Sequence, residues 1–427
     1  MDPRQNEITA PKLIGALRRY RLLPAIVFMQ TRRRCDEAAI DVAHDLSQPL
    51  DTARVDARRE FFEQSITSLP EIAAHRHAKV LVNAGVASHH AGHLPAWKLT
   101  VEKMMSAGLL DAIFATSTVA AGVDFPARTV VIGNADTRGN DGWRPLTVNE
   151  LRQMTGRAGR RGRDNVGFAV LVPGQFQDPR RISELLRSEP EPIVSRFKAT
   201  YTSLLNLLDA FEDLEQVREI TEKSFAFRRK FKRPGGRDRL AREIWEPFER
   251  RARVLDHLGY IELEAERVTP DGKWLADLRI DRPLIVGEAL RRGSLVEIEP
   301  ARFAGVIAAI AADPERSYGE LRTTAALDDR LSEIEDLIYS VGNVELRFGV
   351  QPVEELNLSA AAAAERWASG MDWSELAKRS RAEEGDLIRL MSRTGEALRQ
   401  ISDLKEDAAY SALARSAARA VLREPVR

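Results

Sequence analysis

The chain has 427 residues, 44% hydrophobic and 30% charged, which is room for two or three domains at about 150 residues each. Its 64 Lys and Arg balance 64 Asp and Glu, so no excess charge draws the whole molecule onto a polyanion, and any nucleic acid must be met by a local groove. The single cysteine, Cys35, excludes an intramolecular disulfide and a multi-thiolate zinc site. No apolar run reaches the roughly 18 residues of a membrane span, and the polar start is unlike a signal peptide, so a cytoplasmic protein with no membrane partner is expected.

From residue 12 to 172, helix-like and strand-like segments alternate, which predicts a parallel α/β sheet. Residues 12–21 and 32–46 read as helices around a short apolar strand at 24–29. Further buried strands are expected at 86–89, 112–116, 129–132 and 167–172, with an amphipathic helix at 95–107 stopped by Gly108. Thr147 and Glu150 make a capping-box pattern, in which each side chain satisfies the other's free backbone N–H, and the helix they open should run into Gly156. After Pro173 the character changes. Residues 193–210 and 214–230 read as helices, and a basic stretch broken by Pro-Gly-Gly at 234–236 marks a junction. From Leu240 the chain is almost wholly helical, with a strand pair at 260–268 and long helices near 300–312, 331–348, 358–369 and 383–404.

The most informative segment is QMTGRAGRRG at 153–162. Two arginines three apart, bracketed by glycines at a helix end, suit a phosphate, because glycine lets the backbone come close and the guanidinium forks neutralise charge. An Arg/Gly-rich surface loop is the simpler alternative. By contrast, DEAA at 36–39 follows three arginines inside a predicted helix and reads as a solvated helix face.

The segment 153–162 resembles motif VI of superfamily 2 helicases, in the form found in the superkiller-type DExH helicases. Other segments follow in the family's order. PAIVFMQTR at 24–32 is similar to motif IV, GVASHHAG at 85–92 to the HHAG motif, and ATSTVAAGVDFPAR at 115–128 to motif V. Residues 193–208 and 224–227 resemble a winged-helix region, and Trp367 to Gly370 with Glu384 to Arg389 resemble the DSHCT helical bundle. The resemblance implies a second RecA-like domain over 1–180, a linker and winged-helix-like domain over 181–239, and a DSHCT-like ratchet bundle over 240–427.

It further implies that Arg157 and Arg160 reach the γ-phosphate of ATP as arginine fingers, with Gln153 beside them and Gly122, Asp124 and Gly156 at the nucleotide. Thr31, Arg32, His89, His90, Thr116 and Thr118 would contact nucleic acid, as would Arg389 and Arg393, four apart on one helical face. His89 and His90 are adjacent on a strand, so they point to opposite faces. No third ligand is apparent, and no metal site is expected.

No stretch fits the phosphate-binding loop G-x-x-x-x-G-K-[ST], and no DExH box ends an apolar strand. The sequence therefore reads as the C-terminal half of an ATP- and Mg2+-dependent helicase moving 3′ to 5′ on single-stranded RNA, with an N-terminal ATP-binding half as partner. A DNA-repair helicase of the same superfamily and a non-catalytic nucleic-acid-binding module are the alternatives.

Overall fold

The structure is a computed structural model that describes residues 8–45, 51–117, 125–139, 142–174, 177–193, 195, 197–225, 236–353, 355–404 and 408–427. Thr118, Gly122, Asp124 and the basic stretch 228–233 lie outside the described residues. The chain divides into two compact units, Met1–Pro192 and Ile193–Arg427.

The first unit runs α1 (Ala10–Arg19), β1 (Ala25–Phe28), α2 (Arg32–His44), α3 (Thr52–Ser68), a 3-10 turn at Pro70–Ile72, α4 (Ala78–Ala84), β2 (Val86–His89), α5 (Pro95–Ser106), β3 (Ala112–Ala115) and β4 (Thr129–Ile132). It continues with β5 (Asp136–Gly139), β6 (Gly142–Pro145), α6 (Val148–Thr155), β7 (Phe168–Leu171) and α7 (Pro179–Arg187). Five strands form a parallel sheet in the order β2-β3-β1-β4-β7, with Ile26 level with Ile113 on one side and Val130 on the other. The inner strands are buried at every residue. That is why they read as continuous apolar runs: helices cover both faces of a parallel sheet.

At the sheet's N-terminal edge, the Asp111 carboxylate accepts from Arg18 and from Arg54, each at 2.7 Å, fastening α1 and α3 beneath β3. The helix α3 is absent from the sequence reading because its apolar residues make no regular stripe. Polar anchoring holds it instead: buried Arg58 donates from Nε to the Val82 carbonyl at 2.6 Å and from Nη2 to that of Asn83 at 3.1 Å.

The second unit comprises α8 (Tyr201–Phe211), α9 (Leu214–Lys223), α10 (Gly236–His257), the hairpin β8 (Ile261–Glu262) and β9 (Arg267–Val268), α11 (Pro270–Asp277), α12 (Pro283–Arg291) and α13 (Pro300–Ala311). After these come α14 (Ala325–Arg347), α15 (Leu358–Ala368), α16 (Trp373–Ser380), α17 (Glu384–Ser402) and α18 (Ala408–Val421).

Two expectations are corrected here. The helix expected at 193–210 begins only at Tyr201, where Thr200 and Ser203 cap the start reciprocally, and Ile193 and Phe197 before it are exposed. The expected junction at 239 is not a structural divide: Leu204 and Leu208 share one core with Phe248, Leu255 and Trp274, and the same cluster continues to Trp367, Leu398 and Val421. Beyond that point β8 and β9 pair as a short antiparallel hairpin.

The alanine run Ala360–Ala364 is fully buried in α15. Small side chains there let α13 approach closely: a Cβ added at Gly305 would lie 3.1 Å from the Ala361 carbonyl oxygen and 3.3 Å from the Glu365 Cβ. Gly305→Leu must therefore push the two helices apart. A loss of about 1–3 kcal/mol, the usual penalty of overpacking, is expected, read as a lowered urea midpoint for the second unit.

Candidate functional site

The 153–162 segment starts on α6, whose Thr147–Glu150 capping box is formed in both directions. Gln153 is exposed near the helix end, and Gly156 closes the helix. The chain then turns back on the sheet through backbone hydrogen bonds. The Ala127 N–H donates to the Arg157 carbonyl at 3.0 Å, and the Gly159 N–H donates to the Ala127 carbonyl at 2.7 Å, so that Ala127 and Ala158 form a parallel bridge. Glycine is needed at two places for this. Gly159 has φ +90°, and a Cβ on Gly167 would meet the Ala158 carbonyl group at 2.5 Å.

Arg160 leaves this loop in a fixed posture. Its Nε and Nη2 donate to Asp164 Oδ2 and Oδ1 at 2.8 and 3.0 Å, while its backbone N–H reaches Oδ2 at 3.0 Å. The Asp164 side chain is 1% exposed and that of Arg160 23%. The Arg160 fork holds the Asp164 carboxyl down at about 2 and raises the guanidinium in turn. Arg128 adds a longer contact to Asp164 Oδ1 at 3.6 Å. Arg157 is half-buried and also engaged within the protein. The result is a pair of arginines on a rigid loop, one locked by a bidentate carboxylate.

Thr31 and Arg32 follow β1, Thr116 follows β3 and His89 ends β2, so these residues lie along the C-terminal edge of the sheet. Open α/β sheets place ligands at that edge. Thr31 caps α2, its hydroxyl accepting from the Arg34 N–H at 3.2 Å, and both Thr31 and Thr116 are half-buried.

The histidines depart from expectation. His89 is 4% exposed, with Nε2 at 2.7 Å from Glu102 Oε1, and His90 is fully buried, with Nε2 at 3.2 Å from Asp36 Oδ1. A phosphate does not reach buried imidazoles already facing carboxylates, so neither is a direct nucleic-acid contact in this conformation. The sequence shows no third group beside them, yet the fold brings Asp36, His77 and His93 to His90. Asp36 is correspondingly no solvated helix face: its side chain is 14% exposed and it also accepts from Arg76 at 2.8 Å. Burial works against the ionised Asp36, but hydrogen bonds from His77, His90, His93 and Ser88 outweigh it and pull its carboxyl far below the ordinary range. Burial first, then neighbouring histidines, holds His75 down at about 2, and burial likewise holds His93 at about 3.

A hairpin missed by the sequence reading stands between the motif V segment and α6. β5 and β6 pair antiparallel, and Trp143 on β6 is 57% exposed. Gly-Asn-Asp-Gly at 139–142 carries the signal that could have found it. Arg144 forks onto Glu150 at 2.8 and 2.6 Å, which with the Thr147 amide brings Glu150 down to about 2. The hairpin is thereby tied to the helix that carries Gln153.

In the second unit, Arg389 and Arg393 share the exposed face of α17, with side chains 52% and 45% exposed. Both face acids: Arg389 lies 3.7 Å from Asp386, and Arg393 is paired with Asp281. A bound phosphate would have to compete with these carboxylates.

Asp164 and Glu150 both titrate below their ordinary values, so their contribution to stability is complete above the unfolded carboxyl pKa of about 4 and is lost as pH falls through about 2. The doubly substituted Asp164→Asn, Glu150→Gln chain should be less stable at pH 7 and show a shallower loss between pH 4 and 2. Denaturant unfolding at a series of pH values measures both.

Comparison with known proteins accords with this geometry. Residues 11–162 match the helicase conserved C-terminal domain, and residues 265–427 match the DSHCT (NUC185) domain. The chain is 36% identical over 222 residues to the DExH-box ATP-dependent RNA helicase DExH15, chloroplastic, of Arabidopsis thaliana, covering 48% of this chain and 19% of the relative. It is 35% identical over 233 residues to Superkiller complex protein 2 of Homo sapiens, covering 52% and 18%. To Probable helicase HelY of Mycobacterium leprae it is 30% identical over 327 residues, covering 70% and 34%. The chain thus spans between 18% and 34% of the length of these relatives. It carries the helicase conserved C-terminal domain and the DSHCT domain, and over these regions it is similar to superkiller-type and DExH-box helicases.

Proposed function

We propose that the chain supplies the C-terminal part of an ATP-dependent RNA helicase, giving arginine fingers to a nucleotide held by a separate RecA-like domain. The observation that carries this reading is the posture of Arg160. Asp164 fixes its Nε and Nη2 side, and the Ala127 bridge fixes the loop. The guanidinium is thus set in place before any nucleotide arrives. Preorganised charge of this kind stabilises a transferring phosphoryl group, because little reorganisation is left for the reaction step. Gly156 and Arg157 share the loop with Gln153 on the last turn of α6 before it, and Gly122 and Asp124 of motif V act from the nucleotide side. ATP and Mg2+ are bound mainly by the domain that carries the phosphate-binding loop.

Single-stranded RNA lies, in this reading, along the C-terminal sheet edge at Thr31, Arg32, Thr116 and Thr118, held through its phosphates and moved 3′ to 5′. Trp143 offers a face on which a base can stack. Arg389 and Arg393 grip the strand by leaving Asp386 and Asp281 for phosphates. RNA is favoured over DNA because the Arabidopsis relative is named an RNA helicase. A lone buried thiol, Cys35, accords with a reducing, cytoplasmic setting.

ATP hydrolysis by the chain, alone and with a second polypeptide bearing the phosphate-binding loop and DExH box, tests the reading. No turnover is expected alone, and RNA-stimulated turnover is expected from the pair. Arg160→Ala should lower that turnover by on the order of 10³ or more without weakening RNA binding. RNA binding without restored hydrolysis would mark a non-catalytic module, and preferential stimulation by DNA would favour the DNA-repair reading.

In fluorescence-anisotropy titrations, Arg389→Ala, Arg393→Ala should weaken single-stranded RNA binding. Removing two phosphate contacts should also flatten the slope of log K against log salt by about 1.4, at 0.7 per contact.

A further inference from the structure

We propose that Asp36, His90 and His93 form a binding site for one d-block divalent cation, with Zn2+ as its natural occupant, that fastens α2 to the turn after β2. The proposal does not depend on the helicase reading.

The first ground is convergence. Asp36 Oδ1 lies 3.2 Å from His90 Nε2 and 3.4 Å from His93 Nε2, and the three ligand atoms all fall within 4.8 Å of one another. Zinc bonds of about 2.0–2.1 Å at tetrahedral angles set neighbouring ligand atoms about 3.3–3.4 Å apart. The observed separations therefore need little adjustment to receive the ion. The backbone prepares this: the His93 N–H donates to the His90 carbonyl at 3.1 Å, and the tight turn stacks the two imidazoles 3.9 Å apart at 24°, which presents both Nε2 atoms to Asp36.

The second ground is the crowding of nitrogens around one oxygen. His77 Nε2 also lies 3.1 Å from Asp36 Oδ1, so three imidazole nitrogens crowd a carboxylate oxygen that has two lone pairs. Arg76 Nε also approaches His77 Nε2, at 3.2 Å, so the nitrogen that faces Asp36 is contacted by a second charged side chain. His77 is 3% exposed, and its Nδ1 is buried without a hydrogen-bond partner among the described residues. A cation beside Oδ1 relieves this crowding by taking the nitrogens as ligands. His77 is then the nearest group to take the fourth position or to orient the ion's water.

Two imidazoles and one carboxylate suit Zn2+ and its neighbours rather than Mg2+ or Ca2+, which take oxygen ligands. Without the ion, His90 Nδ1 accepts the Gly92 N–H at 3.2 Å, so its Nε2 carries the proton that faces Asp36. Binding at Nε2 displaces that proton and gives up the Gly92 contact, which lowers affinity without changing the stoichiometry of one ion.

The test uses the full chain, free of any histidine tag and stripped with chelator, titrated with Co2+ and then Zn2+. One Co2+ per chain with the intense visible absorption of tetrahedral coordination is expected, bleached by one equivalent of Zn2+. Asp36→Asn and His93→Leu should each lose that absorption and weaken Zn2+ uptake by more than about tenfold, while His44→Ala, at an exposed position on the same helix, should bind as the parent does. Zn2+ should raise the melting temperature of the parent and not of His93→Leu. Should a variant fail to fold by circular dichroism, zinc-edge X-ray absorption of the parent decides, with a first shell of nitrogen and oxygen including two imidazoles expected. A folded parent that takes up no equivalent of either ion, or a folded His93→Leu that binds as tightly as the parent, overturns the proposal.

Discussion

The backbone contact between Ala127 and the 157–159 loop is the constraint on which the rest of the first unit's chemistry depends. Two N–H···O bonds of 3.0 and 2.7 Å join a segment leaving α6 to Ala127, two residues before β4. The loop also packs directly on the chain at Gly167, which is sterically open because Gly159 and Gly167 carry no side chains. Backbone bonds cannot swing as side chains do, so Arg157 and Arg160 inherit the rigidity of the sheet. Asp164 then needs to fix only one remaining set of torsions, those of the Arg160 side chain. A flexible arginine would lose much of its charge stabilisation in ordering itself during the reaction.

Buried carboxylates perform a related task elsewhere in this unit. Asp111 gathers Arg18 and Arg54 beneath β3, and Asp36 gathers three histidines and Arg76 beside β2. Each is a poorly exposed anion whose removal would leave its partners unmatched, which is the costly case for a buried pair. The anchors lie at opposite ends of the sheet. Asp111 precedes β3 and holds helices to the framework, whereas Asp36 lies on α2 after Thr31 and Arg32 and packs against the turn at the sheet's C-terminal edge.

The second unit is organised by steric fit more than by charge. Glycine and alanine at Gly305 and Ala360–Ala364 bring α13 and α15 together, and Gly395 does the same for α17 against Leu422, where an added Cβ would lie 2.4 Å from Cδ2. With α17 seated in this way, its buried face is mostly apolar and its exposed face carries Arg389, Arg393 and Glu396. The division of the helix into two faces is what leaves those arginines exposed.

Much of this was legible in the amino-acid order. Local patterns determined the strands β1, β2, β3, β4 and β7, the capping box at Thr147, the glycine-bracketed arginines and the long helices of the second unit, because burial on both sheet faces and one-sided burial of helices leave periodic apolar traces. Only the tertiary structure decided where polar side chains ended up. His89 and His90 looked like surface contacts and are buried; Asp36 looked solvated and is a hub, since its partners lie 40 to 57 residues away along the chain: His90 is 54 positions on and Arg76 is 40. The hold of Asp164 on Arg160 is short in sequence, but its strength follows from a burial that no local pattern reports. Apolar periodicity records which face of an element is covered, whereas the pairing of a charge depends on which distant segment covers it, and that is set only when the chain has folded.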